Sequence, residues 1–342
     1  MIPEKPSMPR PGAWRASLAQ AVTDPRELLA RLDLPEDLLP GLAAGAGTFP
    51  LRVPLDYLAR MRRGDPNDPL LLQVLPQAAE LDQPPGFSRD PLGELGALPV
   101  AEEGGRGVLH KYRGRALLVA TGACAVHCRY CFRRHFPYDE QQAAGDGFRS
   151  ALAYLAADPT IEEVLLSGGD PLLLPDSRLS ALARALAEIP HLKRLRVHTR
   201  TPVVLPDRVD DDLLAWLTGT RLAPVVVLHV NHAAELAGEL PVALARLKGA
   251  GITLLNQSVL LRGVNDSAAA LAGLSRALFD HGVLPYYLNL LDRVQGAAHF
   301  EVPEADAREL MGQLIATLPG YLVPKLVREV AGAPSKVPVE IK

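Results

Sequence analysis

The chain has 342 residues, 48% of them apolar and 22% charged, and a formal net charge of −3. Such a length and composition describe a water-soluble globule of one large domain, or of one domain with an appendage. No polybasic run marks a nucleic-acid surface, no apolar run reaches bilayer-spanning length, and the opening Met1-Ile-Pro-Glu-Lys-Pro6 has no signal core, so a cytoplasmic protein without nucleic-acid or membrane partners is expected.

Residues 1–13 are proline-rich and expected to be loose. Helical periodicity follows over Trp14–Val22 and Pro25–Leu32, with Asp24 placed to cap the second helix. Pro54–Met61 reads as a short helix with Leu55, Leu58 and Met61 on one face. The run Arg62-Arg-Gly-Asp-Pro-Asn-Asp-Pro69 then breaks the pattern, because Asp-Pro steps force turn or extended geometry, and Leu70–Val74 resumes an apolar run. These elements suit a mostly helical cap, residues 1–92, over the end of a larger domain. The boundary falls at Pro84-Pro-Gly86 and Asp90-Pro-Leu-Gly93.

Beyond residue 106 short apolar strands alternate with helices. The strands are expected at Arg115–Ala120, Glu163–Leu166, Leu195–His198, Val225–Val230, Thr253–Leu261 and Tyr286–Leu291. Helices are expected at Phe148–Ala157, Ser177–Glu188, Asp210–Leu217, Pro241–Lys248, Ala268–Asp280 and Pro303–Leu318. Six such units predict an α/β fold with a parallel sheet; a doubly wound sheet and a partial barrel both satisfy the pattern. In either, ligands bind beyond the C-terminal strand ends, which is where Ser167-Gly-Gly-Asp-Pro171, His198-Thr-Arg200, His229-Val-Asn-His232 and Asp292 fall, while Asn256-Gln-Ser258 lies within the fifth strand.

All three cysteines, Cys124, Cys128 and Cys131, follow the first of these strands with C-x3-C-x2-C spacing. Their odd number and the absence of an export signal argue against disulfides. Three soft thiolates suit either an iron–sulfur cluster with one open iron, or zinc with His127 or His135 as fourth ligand. The gathering of polar residues at the same end of the sheet favours the cluster and an active site. Taken alone, Ser167-Gly-Gly-Asp reads as a strand-to-helix turn, Lys336 as a solvated terminal lysine, and Lys111 and Arg115 as an exposed basic strand edge.

Cys124-Ala-Val-His-Cys-Arg-Tyr-Cys131 resembles the motif of the radical S-adenosylmethionine (SAM) superfamily, and its extension through Phe132-Arg-Arg134 resembles the lysine 2,3-aminomutase family. The likeness runs from Gly64-Asp-Pro to Ser335-Lys336. It implies a partial (β/α)6 barrel, residues 93–302, followed by a C-terminal helix and a tail bearing the pyridoxal phosphate (PLP) lysine, residues 303–342. It further implies a [4Fe-4S] cluster on Cys124, Cys128 and Cys131, with SAM on Ser167, Gly168, Gly169, Asp170, His229 and Gln257. Lys336 would be the Schiff-base lysine, with Lys111 and Arg115 toward the PLP phosphate. Arg133 would take the substrate carboxylate, and Asp292 and Glu329 the distant ammonium of L-lysine, two acids that suit a cationic side chain. The implied reaction is an isomerisation to (R)-β-lysine, fed by a reductant such as flavodoxin or ferredoxin. Its product would serve modification of translation elongation factor P through a lysyl-tRNA-synthetase-like ligase. No spare cysteine remains for a zinc site, and a homo-oligomer is left open. His232 is expected to be a hydrogen-bonded structural residue.

Overall fold

Seven parallel strands lie side by side in the order in which the chain makes them, and that order settles the architecture. The computed structural model describes residues 12–97, 105–141 and 143–341, so residues 1–11 of the stretch expected to be loose lie outside the described residues. Among the described residues nine strands form one sheet: β1 Val108–Tyr112, β2 Arg115–Thr121, β3 Glu163–Gly168, β4 Arg194–Thr199, β5 Ala223–Leu228, β6 Thr253–Val259, β7 Leu284–Asn289, β8 Lys325–Arg328 and β9 Val337–Pro338. A doubly wound sheet reverses its strand order at a switch point; this one never does, and the result is a partial barrel. The first and last strands pair antiparallel, β1 with β2 and β9 with β8.

The helices Arg149–Ala157, Asp176–Ala187, Asp211–Thr218, Leu240–Gly249, Ala268–Asp280 and Glu304–Thr317 follow the sequence pattern closely. Caps set two of their starts, since Asp210 accepts from Leu213 N at 3.0 Å and Ser267 from Ala270 N at 3.2 Å. The strands divide by the period of two. Val164, Leu166, Leu195, Val197, Val226, Leu228 and Leu254 join the helices in the main apolar core. Their alternates Leu165, His198 and Gln257 line an internal cavity. No described helix is long and apolar enough to cross a membrane.

Several expected bounds shift, each for a local reason. β5 stops at Leu228, short of Val230, because the Asn256 side chain takes over both Val230 backbone groups, at 2.9 and 3.0 Å. The first helix ends at Ala19, and Val22 leaves it to bridge Val53. The helix from Pro25 ends at Arg31 with Asp24 as its cap, and the expected Pro54–Met61 helix is one turn, Leu55–Leu58. A helix over Leu39–Thr48 has no counterpart in the sequence reading because its glycines conceal it. Gly45 is required by close packing: a Cβ there would lie 2.7 Å from the Gln77 backbone. β1, β8 and β9 were also missed, the last two being too short to show periodicity.

The N-terminal helices form a second apolar cluster that includes Ala125 and Val126 of the cysteine segment. A charged clamp reinforces this contact. Arg129, fully buried, donates to Glu80 through Nε at 2.7 Å and Nη2 at 2.5 Å, and Arg134 adds a bond to the same carboxylate at 2.7 Å. Arg129 also reaches the carbonyls of Phe49 and Gly45, at 2.7 and 3.1 Å. Removing one member of such a group strands the others without a counter-charge. Glu80→Ala should therefore cost about 3–5 kcal/mol, read from urea unfolding of the cluster-free chain; an unchanged midpoint would contradict the clamp.

Candidate active site

The cysteine segment leaves β2 and is held by the turn that leaves β3. Gly169 N donates to Thr121 O and Asp170 N to Ala123 O, both at 2.7 Å. A Cβ at Gly169 would sit 2.4 Å from Ala123 O; at Gly168, where φ is +113°, it would sit 2.7 Å from Thr121 O. The two glycines thus allow one backbone to lie against another. Tyr138 Oη donates to Gly168 O at 2.9 Å. The Asp170 carboxylate accepts from Thr199 Oγ1 at 2.8 Å, Arg200 N at 2.8 Å, Thr201 N at 2.9 Å and Leu172 N at 3.1 Å, which joins the ends of β3 and β4.

Cys124, Cys128 and Cys131 line the cavity together with residues of β1, β2, β3, β4, β6 and β7 and with His229, just past the end of β5. Among the described residues, the only three carboxylate, imidazole or thiol ligand atoms that all lie within 4.8 Å of one another belong to Asp176, Asp210 and Asp212. The three thiols are therefore spread wider than one tetrahedral zinc, with Zn–S of about 2.3 Å, draws its ligands. His127 Nδ1 lies 2.8 Å from Pro50 O, and His135 Nε2 3.2 Å from Gln295 O, so backbone carbonyls engage both candidate fourth ligands. Burial pushes the Cys131 thiol up to about 11, with Cys128 adding to it. Burial and the same kind of neighbour raise Cys124 as well. Proton release from such thiols awaits a bound cation, and a multi-iron cluster fits this donor set.

In the same cavity His229 Nε2 and Gln257 Nε2 are 3.0 Å apart, and His198 meets His229 edge-on at 5.9 Å. Burial, with Arg200, Lys336 and Arg133 assisting, lowers the His229 pKa to about 3, so the ring is neutral. His198 Nε2 is buried and has no hydrogen-bond partner among the described residues, an acceptor or donor left for a ligand. His232 instead caps a turn, its Nδ1 accepting from Ala234 N at 3.2 Å.

Lys336 reaches the cavity because β9, which begins at the next residue, is anchored antiparallel on β8. Its Nζ donates to Glu329 Oε2 at 2.9 Å and Asn289 Oδ1 at 3.0 Å. The other Glu329 oxygen takes Lys111 at 2.8 Å, and Lys111 also lies 3.1 Å from Glu94. Burial would raise the Glu329 carboxyl, but Lys336 and Lys111 bring it down to about 2. Burial pushes Asp292 up to about 7 against the pull of Lys336, with Glu329 and Glu94 adding to the rise. Asp292 forms no ion pair among the described residues, whereas Lys111 is held by two carboxylates. Arg115 stacks 4.7 Å over Tyr112 and forms no ion pair among the described residues, which leaves its charge available to an anionic group. Lys111 and Arg115 both line the cavity and are not an exposed edge.

Arg133 donates through Nε and Nη2 to Glu94, at 2.6 and 2.8 Å, and through Nη1 to Ser167 Oγ at 3.1 Å. Glu94 was missed, since the sequence shows only a breaker, Asp90-Pro-Leu-Gly93, before it. Asn289 was also missed, although a polar side chain ending an apolar strand is the same signal that pointed to Gln257. Arg200 stood in a noted strand end without a role.

Residues 118–235 match the family model of the Radical SAM superfamily. The chain is 50% identical to the L-lysine 2,3-aminomutase of Escherichia coli (strain K12), over 96% of this chain and 95% of that one. It is 48% identical to the Haemophilus influenzae protein of that name, over 98% of each. Identity to the Clostridium subterminale L-lysine 2,3-aminomutase is 35%, over 95% of this chain and 77% of that one.

The backbone clasp predicts that Gly169→Ala, with a Cβ 2.4 Å from Ala123 O, displaces the cysteine segment. Iron and sulfide content after anaerobic reconstitution should fall severalfold while the far-UV circular dichroism stays native. Full iron content in this variant would show that the clasp does not order the thiols.

Proposed function

The chain belongs to the lysine 2,3-aminomutase family of the radical SAM superfamily, and on that premise we propose that this isomerase converts L-lysine to (R)-β-lysine with PLP held on Lys336. The observation that carries the reading is the position of Lys336 Nζ, which shares one cavity with the three thiols, with Arg115 and Arg133, and with Asp292 and Glu329. When bound, the cluster and SAM supply a 5′-deoxyadenosyl radical, and PLP supplies the carbon–nitrogen chemistry of the migration.

The chain's own residues divide the remaining work. Cys124, Cys128 and Cys131 hold the cluster. Ser167, Gly168, Gly169, His229 and Gln257 surround SAM, and Asp170 shapes the turn that presents them. Lys336 anchors PLP as a covalent partner, with Arg115 toward its phosphate and Lys111 tying Glu94 to Glu329. Glu94 occupies the Nε–Nη2 edge of Arg133, so the free hydrogens of Nη1 and Nη2 form a second fork for a substrate carboxylate. Asp292 and Glu329 receive the distant ammonium. The division into cap 1–92, barrel 93–302 and tail 303–342 accompanies this reading. So do electron supply by flavodoxin or ferredoxin and use of the product on elongation factor P by a lysyl-tRNA-synthetase-like ligase.

Two outcomes test the proposal. Borohydride reduction should fix PLP covalently to the wild-type chain and not to Lys336→Ala, and that variant should lose isomerisation of L-lysine; turnover without Lys336 would overturn the assignment. The second outcome concerns pH. A carboxyl with pKa about 7 is neutral below that pH, and binding an ammonium beside it releases its proton. Affinity for L-lysine should therefore fall, by up to about tenfold per pH unit, as the pH drops below 7. Asp292→Asn should weaken binding at pH 8 and flatten this dependence. A slope that persists in the variant would place the titrating group elsewhere.

A further inference from the structure

Arg200 is the one cation bonded directly to a candidate cluster ligand among the described residues. Its Nη1 donates to Cys128 Sγ at 3.1 Å and to the Tyr130 hydroxyl. Its Nη2 is held by Tyr57 Oη at 2.9 Å, Gln73 Oε1 at 2.8 Å and Glu235 Oε2 at 3.1 Å. The side chain is buried, with its guanidinium 5.4 and 5.5 Å from the ring centres of Tyr57 and Tyr130. Its backbone N–H is fixed by Asp170 at 2.8 Å. Glu235 is itself immobilised by Gln73 Nε2 at 3.2 Å and by the N–H groups of Asn231 and His232, at 2.8 and 3.0 Å.

A brace between cap and barrel would need none of this chemistry at sulfur. A guanidinium cannot lose its proton in a protein, and a donor to a cluster sulfur favours the reduced, more negative state. Exclusion of water magnifies that effect. We propose that Arg200 is a positioning residue that raises the reduction potential of the cluster through its bond to Cys128, with Glu235 moderating the charge and the cap residues Tyr57 and Gln73 fixing its aim. The inference rests on the cluster reading of the three thiols, not on the substrate.

The test is an anaerobic potentiometric titration of the reconstituted cluster without SAM, with dithionite as reductant and the reduced signal followed by electron paramagnetic resonance. Iron and sulfide analysis comes first, since a protein lacking both would defeat the cluster reading itself. At a fixed applied potential, Arg200→Met should lower the ratio of reduced to oxidised cluster about tenfold, a downward midpoint shift of about 59 mV for one electron. Arg200→Lys, which keeps the charge, should recover part of it. Glu235→Gln should shift the midpoint upward, the opposite sign, which loosening of a structural brace would not produce. A midpoint unchanged in Arg200→Met, or both variants shifting the same way, would overturn the proposal. If Arg200→Met does not assemble a cluster, the sign found for Glu235→Gln decides alone.

Discussion

A carboxylate taken out of water must be answered by cations and hydrogen bonds, and three buried glutamates impose that condition around the cysteine segment. Glu80 gathers Arg129 and Arg134, Glu94 gathers Arg133 and Lys111, and Glu235 gathers Arg200. Three of these arginines belong to Cys128-Arg-Tyr-Cys-Phe-Arg-Arg134 itself, and the fourth touches Cys128. Their acids come from the cap, from the segment before β1 and from the turn after β5. Such pairs add little net stability against an apolar alternative, but breaking one is costly. Their effect is to fix where the thiols stand.

The same logic extends across the cavity. Lys111, Lys336, Glu94 and Glu329 alternate in sign, and among the described residues the cavity groups Arg115 and Asp292 form no ion pair. Those two sit where an anionic and a cationic ligand group would complete the set. Lys336 directly precedes β9, whose pairing on β8 limits the freedom of the backbone that carries it. Backbone pairing, not loop composition, delivers this amine.

Legibility followed the kind of signal each residue gives. The six crossover helices and the strands between them carried strong periodicity, so element type was plain; most bounds moved by a residue or two, and β5 ended early because the Asn256 side chain replaces ladder bonds. Gln257 was readable as a polar residue in an apolar strand; Asn256 and Ser258 gave the same signal but point the other way, stitching the backbone of Val230. The helix over Leu39–Thr48 was hidden by its glycines, one of which, Gly45, serves a close contact with residues 76–77 that no local pattern announces.

The sequence by itself determined the chemistry: a three-thiol motif, a parallel βα alternation, and polar residues placed at strand ends, because donor type, periodicity and spacing are local properties of the chain. Tertiary structure alone decided between an open doubly wound sheet and a partial barrel, since strand order is a relation among distant segments. It alone assigned Glu94 to Arg133, Glu235 to Arg200 and Asn289 to Lys336. Those pairings join residues 39, 35 and 47 positions apart in the chain. Burial then sets their charges, and burial exists only once the chain has folded.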